Sequence, residues 1–210
     1  KVWNDKEDQD GKRPGSVTVK LLADKVDTGK TLELNSTNQW KGSFEDLDEY
    51  KGGKKIEYTL EEVTVSGYTT SITKSSNGYV VTNSHTPETT EVSGKKTWND
   101  KEDQDGKRPK EITINLYADG VKKDSKKVTA SENWSWKFDN LAKYAKGQLI
   151  NYTITEDVVK DYTSDVSGYN VTNTYTPGKT SVSVEKVWND KEDQDGKRPG
   201  SVTVKLLADK

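Results

Sequence analysis

The chain of 210 residues contains no cysteine and one histidine, His85. Disulfide bonds are therefore excluded, and the usual zinc sites built from cysteine and histidine cannot be assembled. Small domains with little core usually need a disulfide, a metal or another link to stay folded. The absence of both common links predicts that a bond between other side chains stabilises this protein, and we expect neither a metal nor a cofactor.

Apolar residues are also scarce, at 29% of the chain. No apolar run approaches the ~20 residues that span a bilayer, and Lys1 does not begin a signal peptide. The 33 Lys and Arg nearly balance the 35 Asp and Glu, which argues against nucleic acid or a membrane as a partner. Six Trp and ten Tyr supply large apolar surfaces. We expect folded domains with thin cores, within a longer protein.

A long repeat organises the chain. The run WNDKEDQDGKRP begins at Trp3, Trp98 and Trp188, and a lysine lies two residues before each tryptophan. A spacing of about 90 residues fits tandem globular domains better than a solenoid. The predicted domains are residues 1–87, residues 88–177 and an N-terminal fragment, residues 178–210. Residues 186–210 are identical to residues 1–25.

Short runs with strand character, separated by turn-forming clusters, fill the second copy. About seven strands in such a domain predict an all-β, antiparallel, immunoglobulin-like sandwich. We predict a helical turn over 140–146 and stiff, proline-containing linkers at 86–90 and 176–180. The predicted strands are 92–98, 111–117, 126–130, 134–138, 149–156, 162–166 and 169–175.

Three of these strands carry one polar residue on an otherwise apolar face. Side chains two positions apart on a strand point the same way, so all three polar groups are expected to face the core. The alternating sets are Val92, Gly94, Lys96 and Trp98; Ile150, Tyr152, Ile154 and Glu156; and Tyr169, Val171, Asn173 and Tyr175. The first copy repeats the pattern with Lys1, Glu62 and Asn83, although Lys1 lacks the upstream half-strand that precedes Lys96.

A buried amine, carboxyl and carboxamide are costly unless they pair or react. Burial lowers the pKa of a lysine, and a neutral Lys96 amine is a nucleophile. Glu156 can hydrogen-bond the carboxamide of Asn173, polarise its carbon and shuttle protons while ammonia leaves. The alternative is a buried Lys–Glu ion pair with asparagine as a neighbour. Strand phase does not decide between them.

Several motifs in the same order resemble the Cna B-type domain of Gram-positive surface proteins. They are KVWND and QDGKRP, then YTITE at Tyr152–Glu156 and GYNVTNTYTP at Gly168–Pro177. The resemblance implies an inverse immunoglobulin-like sandwich that holds a spontaneous Lys–Asn isopeptide bond assisted by an acid. The implied trios are Lys96, Asn173 and Glu156, and Lys1, Asn83 and Glu62; Lys186 has no partner within this chain.

The resemblance also implies the function: stalk repeats that hold an adhesive head domain away from a Gram-positive cell wall. Neighbouring repeats are the expected partners, with host extracellular matrix reached through the parent protein. Bond formation without turnover does not make the chain an enzyme. The alternative is a module that binds matrix or glycans through its loops or the face of Trp134 and Trp136. The duplicate at 186–210 suggests end-to-end strand exchange between molecules.

Two further signals are interpreted as structural. The acidic loop at 4–11 resembles a calcium loop, but Lys6 and Val17 occupy positions where an EF-hand needs acidic ligands. A turn-forming loop is the better interpretation. Trp3, Trp98 and His85 share the inward phase of their strands, which favours packing over ligand or metal binding.

Overall fold

The computed structural model describes residues 1–209. It contains two compact units, Lys1–Thr176 and a unit that begins at Pro177. Between residues 1 and 209 the chain is almost entirely strands and turns, and its one helical segment is the 3-10 turn Ala130–Glu132. That segment is far too short and polar to cross a membrane. The all-β prediction is confirmed.

The first repeat forms two three-stranded sheets and a small hairpin. One sheet has the order β1-β8-β7, the other β3-β2-β6, and β4 pairs with β5. Its strands are β1 Val2–Asn4, β2 Ser16–Ala23, β3 Val26–Asn35, β4 Tyr50–Lys51, β5 Lys54–Lys55, β6 Tyr58–Glu62, β7 Thr69–Ser75 and β8 Gly78–Ser84.

The second repeat has the same layout with a longer opening strand. Its sheets have the orders β12-β9-β17-β16 and β11-β10-β15, and β13 pairs with β14. Its strands are β9 Thr89–Asn99, β10 Glu111–Ala118, β11 Val121–Thr129, β12 Ser135–Ala142, β13 Tyr144–Ala145, β14 Gln148–Leu149, β15 Tyr152–Glu156, β16 Thr163–Ser167 and β17 Asn170–Thr174.

In both repeats the first and last strands are parallel neighbours. Strand β9 pairs with β17 and β1 pairs with β8, whereas the other pairings are antiparallel. The long β9 serves both sides: its first half pairs with β12 and its second half with β17. The two chain ends of a repeat therefore lie side by side in one sheet.

The core is thin and fills the space between the two sheets. Alternate residues of each strand point inward, as the period of a half-buried strand requires. The core of the second repeat includes Val92, Ile114, Phe138 and Val171. The core of the first repeat is smaller and is built around Val17, Val19, Leu34 and Val81.

The recurring loop WNDKEDQDGKRP is held by a buried aspartate. In the second repeat Arg108 donates two hydrogen bonds to Asp100, of 2.6 and 3.0 Å, and Tyr162 donates a third of 2.9 Å. Arg108 also stacks on Trp98. The same contacts join Asp5, Arg13, Tyr68 and Trp3 in the first repeat. In both repeats this buried aspartate therefore holds its own loop.

Three sequence predictions differ from the structure. The predicted helical turn at 140–146 is wrong: this stretch contains the end of β12 and, through β13 and β14, a tight hairpin closed at Gly147. Strand 149–156 is interrupted, because Ile150 lies between β14 and β15. The linker at 86–90 is shorter than predicted, since Thr89 and Thr90 already belong to β9.

The joint between the repeats is closed by Glu88. Its carboxylate contacts the amines of Lys12, at 2.7 Å, and Lys143, at 2.8 Å, and these contacts lower the pKa of Glu88 to about 2. Its backbone N–H donates to Asp10, which also contacts the His85 ring at 2.9 Å. Residues from the first repeat, the connection and the second repeat are therefore tied at one point.

Two glycines make this close approach possible. Gly11 and Gly147 adopt φ values of +65° and +75°, and the backbone N–H of Gly147 donates to Gln9 at 3.0 Å. A Cβ atom on Gly11 would lie 2.5 Å from the Cα of Gly147, below any normal contact. Side chains at this point would push the repeats apart.

We predict that Gly11→Ala loosens the joint. Its counterpart Gly106 has φ +64° and open space around it, so Gly106→Ala carries only the cost of a left-handed alanine, about 1–2 kcal/mol. Proteolysis at residues 85–88 and small-angle scattering should show greater accessibility and a broader shape distribution for Gly11→Ala alone. Equal behaviour of the two variants would contradict a rigid glycine contact.

We predict acid sensitivity from Asp100. The hydrogen bonds from Arg108 hold its folded pKa at about 2, against an ordinary value of 3.8. A depressed pKa stabilises the fold above pH ~4, and that stability is lost as the pH falls toward 2. Asp100→Asn should lower the free energy of unfolding by about 1–3 kcal/mol at pH 7. Urea unfolding at several pH values should also show a weaker acid dependence for this variant. The control Asp165→Asn, at an exposed position, should show neither effect. An unchanged acid slope in Asp100→Asn would contradict the assignment.

Candidate functional site

The structure brings the predicted trio of the second repeat together inside the sandwich. Lys96 on β9 and Asn173 on β17 belong to neighbouring parallel strands of one sheet. Lys96 aligns with Val171, and Asn173 lies two residues further along, so both side chains point to the same inward face. Glu156 comes from β15 in the opposite sheet. The lysine and asparagine therefore meet the acid across the core.

All three groups are shielded from water. The side chains of Lys96 and Glu156 are 0% and 1% exposed and form a short ion pair between Nζ and Oε1. Burial lowers the pKa of Lys96, although the hydrogen bond and charge of Glu156 act to raise it. The lowered pKa increases the fraction of neutral, nucleophilic amine.

Asn173 is the unusual member of the trio. It is 0% exposed, and within residues 1–209 neither its Oδ1 nor its Nδ2 has a hydrogen-bond partner. More than nine in ten buried polar groups in proteins have such a partner, and leaving one without costs about 1–3 kcal/mol. A buried carboxamide with both polar atoms unpaired therefore lies in the same core as a buried amine and an acid.

The first repeat assembles the same trio. The Lys1 amine lies 2.8 Å from Glu62 Oε1, both side chains are 0% exposed, and burial lowers the pKa of Lys1. This contact is an ion pair between the Lys1 amine and the Glu62 carboxylate. Asn83 is fully buried on β8, where it aligns with Trp3. The short β1 thus still buries the lysine side chain.

Sequence analysis missed a hydroxyl group at each trio. Thr70 Oγ1 lies 2.6 Å from Glu62 Oε2 and 3.0 Å from Asn83 Oδ1, and Ser164 donates to Glu156 Oε2 at 2.9 Å. Thr70 is the direct cross-strand partner of Asn83, and Ser164 that of Asn173. The sequence did contain a signal for these hydroxyl groups. In each repeat a Ser or Thr lies on the strand before the asparagine strand, directly opposite the inward asparagine.

The third lysine has no such surroundings. Lys186 is exposed, and its amine donates to the carbonyl of its neighbour Val187 and stacks on Trp188. The contact between Asp190 and Arg198 persists in this unit. Lys186 is thus an exposed copy of the motif lysine, whereas the side chains of Lys1 and Lys96 are buried.

The tryptophan face proposed for ligand binding is not available as a surface. Trp136 is 5% exposed and belongs to the core, and Trp134 packs edge-on against Trp98 with ring centroids 5.1 Å apart. Trp134 lies outside β12, with a left-handed backbone at φ 53°, and it also packs against the core. Packing explains both residues, and the glycan-platform alternative has no support here.

We predict that the Thr70 hydroxyl stabilises the first repeat. Thr70→Val keeps the side-chain shape and leaves Glu62 Oε2 without its donor, which should cost about 1–2 kcal/mol. The control Thr69→Val removes a hydroxyl that reaches only the Ser84 carbonyl at 3.3 Å. Hydrogen exchange of β6 and β8 should accelerate in Thr70→Val far more than in the control. Equal rates in the two variants would refute this role.

Comparison with known proteins agrees with this geometry. The family model described as Cna protein B-type domain matches residues 1–84, 92–174 and 182–210. A collagen adhesin of Staphylococcus aureus is 49% identical over the whole chain, which spans 18% of that protein's length. The crystal structure of two B repeat units of the Staphylococcus aureus collagen binding protein is 48% identical, with a TM-score of 0.77 over 94% of this chain and 53% of that one. The predicted resemblance and the immunoglobulin-like sandwich are confirmed, and the chain belongs to the Cna protein B-type domain family.

Proposed function

We propose that each complete repeat locks itself with a Lys–Asn isopeptide bond. In the second repeat the Nζ atom of Lys96 attacks Cγ of Asn173, the new N–C bond forms, and the bond from Cγ to Nδ2 breaks to release ammonia. Glu156 accepts the proton from the amine and delivers it to the leaving nitrogen. Lys1, Asn83 and Glu62 perform the same step in the first repeat.

The buried carboxamide without partners carries this proposal. An ion pair alone would satisfy Lys96 and Glu156 but leave both polar atoms of Asn173 unpaired. Condensation replaces a buried charged amine and an unpaired carboxamide with one neutral amide. Desolvation therefore favours the product, which distinguishes this reaction from the ion-pair alternative.

The position of the bond suits a load-bearing repeat. Lys96 lies on the first strand and Asn173 on the last, and these strands are adjacent and parallel. Force entering at one end of the repeat and leaving at the other passes through the bond. The chain between them would otherwise extend by about 260 Å at ~3.4 Å per residue. Closing such a loop removes about 4–5 kcal/mol of unfolded-chain entropy by the loop-closure relation applied to disulfides.

Resistance to extension and a tight joint between repeats are the properties expected of a stalk. Repeats that do not extend, joined by the Glu88 contacts, form a spacer suited to carry an adhesive head domain away from a cell surface. The S. aureus relative is described as a collagen adhesin, which supports a role in a surface protein that meets host matrix. The bond forms once per repeat without turnover, so the acid residues assist a maturation step and not an enzyme reaction.

Mass measurement under denaturing conditions tests the bond. We expect the intact chain to be lighter than its sequence formula by two ammonia molecules, one for each complete repeat. Asn173→Ala should restore one ammonia and Asn83→Ala the other. Full formula mass in the parent chain would refute the proposal and leave the ion-pair interpretation.

Trypsin provides an internal control, because the motif lysine occurs three times. Lys96 with a substituted amine should resist cleavage, whereas Lys186, which also lies two residues before a tryptophan of the repeated run, should be cut. Asn173→Ala should make Lys96 cleavable and lower the stability of the second repeat by about 4–5 kcal/mol. Cleavage at Lys96 in the denatured parent chain would count against the bond even if the folded protein were stable.

A further inference from the structure

His85 places both nitrogens of its imidazole ring against hydrogen-bond acceptors. Nδ1 lies 2.8 Å from the backbone carbonyl oxygen of Gly67, and Nε2 lies 2.9 Å from the carboxylate atom Oδ2 of Asp10. A neutral imidazole has one N–H group, whereas the protonated ring has two. Both contacts are therefore hydrogen bonds only when His85 carries a positive charge.

The carboxylate of Asp10 depends on this charge. The side chain of Asp10 is 0% exposed and that of His85 is 10% exposed, so water does little to stabilise either group. Within residues 1–209, Oδ1 of Asp10 has no hydrogen-bond partner, and Oδ2 accepts from His85 and from the backbone N–H of Glu88. A buried carboxylate is costly without a positive charge beside it. Loss of the His85 proton would remove that charge.

The other charged groups at this point are engaged with one another. Lys12, from the same loop as Asp10, pairs with the Glu88 carboxylate at 2.7 Å. Lys143, from the second repeat, pairs with the other oxygen of that carboxylate at 2.8 Å. The carboxylate of Glu88 therefore neutralises these two amines, and the buried carboxylate of Asp10 is left to His85.

The surroundings of the ring favour its protonated form. The hydrogen bond to Asp10 raises the pKa of His85 above its ordinary value of 6.5, against the opposing effects of burial and of the Lys12 charge. The ring of Tyr68 also packs on the imidazole, with centroids 5.4 Å apart, and its hydroxyl donates to Asp5. The charge on His85 therefore changes at a pH above that of an ordinary histidine.

The contact between His85 and Asp10 lies at the joint between the repeats. Asp10 is flanked by two residues that contact Gly147 of the second repeat. Gln9 accepts a hydrogen bond from the Gly147 N–H at 3.0 Å, and the backbone of Gly11 lies against the same glycine. A movement of Asp10 would therefore disturb the contacts by which the first repeat holds the second.

The second repeat makes the equivalent contact with a different group. Tyr175 takes the place of His85, two residues after the asparagine of the trio, and its hydroxyl donates to Asp105 at 2.9 Å. A phenol keeps its proton up to pH ~10, and the hydrogen bond to Asp105 raises the pKa of Tyr175 further. Of these two equivalent contacts, the one at His85 therefore responds to pH near neutrality and the one at Tyr175 does not.

We propose that the charge of His85 controls how tightly the joint between the repeats is closed. The protonated ring fixes Asp10 and thereby holds residues 9–11 against Gly147. When the proton leaves to solvent, one ring nitrogen faces an oxygen lone pair, Asp10 loses its counter-charge, and the joint loosens. This stabilisation is fully present below pH 6.5 and is lost as the pH rises through the higher pKa of folded His85. The inference goes beyond the stalk function and does not require the isopeptide bond.

Hydrogen exchange of the full chain, corrected for the intrinsic pH dependence of exchange, tests the proposal. In the parent chain, protection of the Glu88 and Gly147 amides should fall at least about threefold between pH ~6 and pH ~8.5. His85→Tyr copies the contact of Tyr175 with Asp105, so its protection should stay constant. Gly147 is the critical amide because it belongs to the other repeat. No fall in the parent, a fall confined to Glu88, or an equal fall in both chains would overturn the proposal.

Nuclear magnetic resonance of the single histidine gives a second measurement that needs no variant. His85 should titrate above pH 6.5 in the parent chain, with both ring nitrogens protonated at pH ~6. Asp10→Asn removes the charge that holds the proton and should lower this pKa. Asp105→Asn, at the equivalent position of the second repeat, should leave it unchanged. A parent His85 that titrates at or below pH 6.5, or equal effects of the two substitutions, would show that the contact with Asp10 does not hold the proton.

Discussion

The burial of one lysine amine in each complete repeat is the constraint on which the rest of the structure depends. Each complete repeat buries a lysine against a glutamate and an asparagine in a core with few aliphatic residues. Such a group is costly to bury unless its charge is neutralised or its amine reacts. The sandwich supplies rigid strands on both sides, so the three groups cannot move away from one another to reach solvent. In the proposed reaction, these buried polar groups, which would weaken an ordinary small domain, become the bond that closes the repeat.

The first and last strands of each repeat are parallel neighbours, so the proposed bond would join the two ends of the repeat. Lysine and asparagine are far apart in sequence but neighbours in one sheet, while the acid approaches from the other sheet. Neither sheet alone could assemble the site. The same architecture explains the recurring WNDKEDQDGKRP run: its buried aspartate, arginine and tryptophan anchor the loop that follows the lysine strand.

The sequence was sufficient for the trios because strand alternation has a fixed period, and a lysine in phase with valine and tryptophan must face inward. The sequence was not sufficient where the local backbone geometry depends on contacts with distant parts of the chain. The hairpin closed at Gly147 packs against Gly11 of the first repeat, and the early start of β9 is set by its pairing with β12. The stretch at 140–146 has no periodic signal that excludes a helix. Thr70 and Ser164 were missed because hydroxyl residues are common on exposed strands, and only cross-strand register shows which ones reach the core.

The joint between the repeats is held by partly exposed ion pairs, whereas the trios lie inside the buried cores. The contacts of Glu88 with Lys12 and Lys143 are ionic and about 40% exposed, so dissolved ions weaken them. The trios are dry, and ions in solution do not reach them. A series of such repeats would therefore bend more easily in concentrated salt than in dilute buffer, while the packing inside each repeat stayed the same.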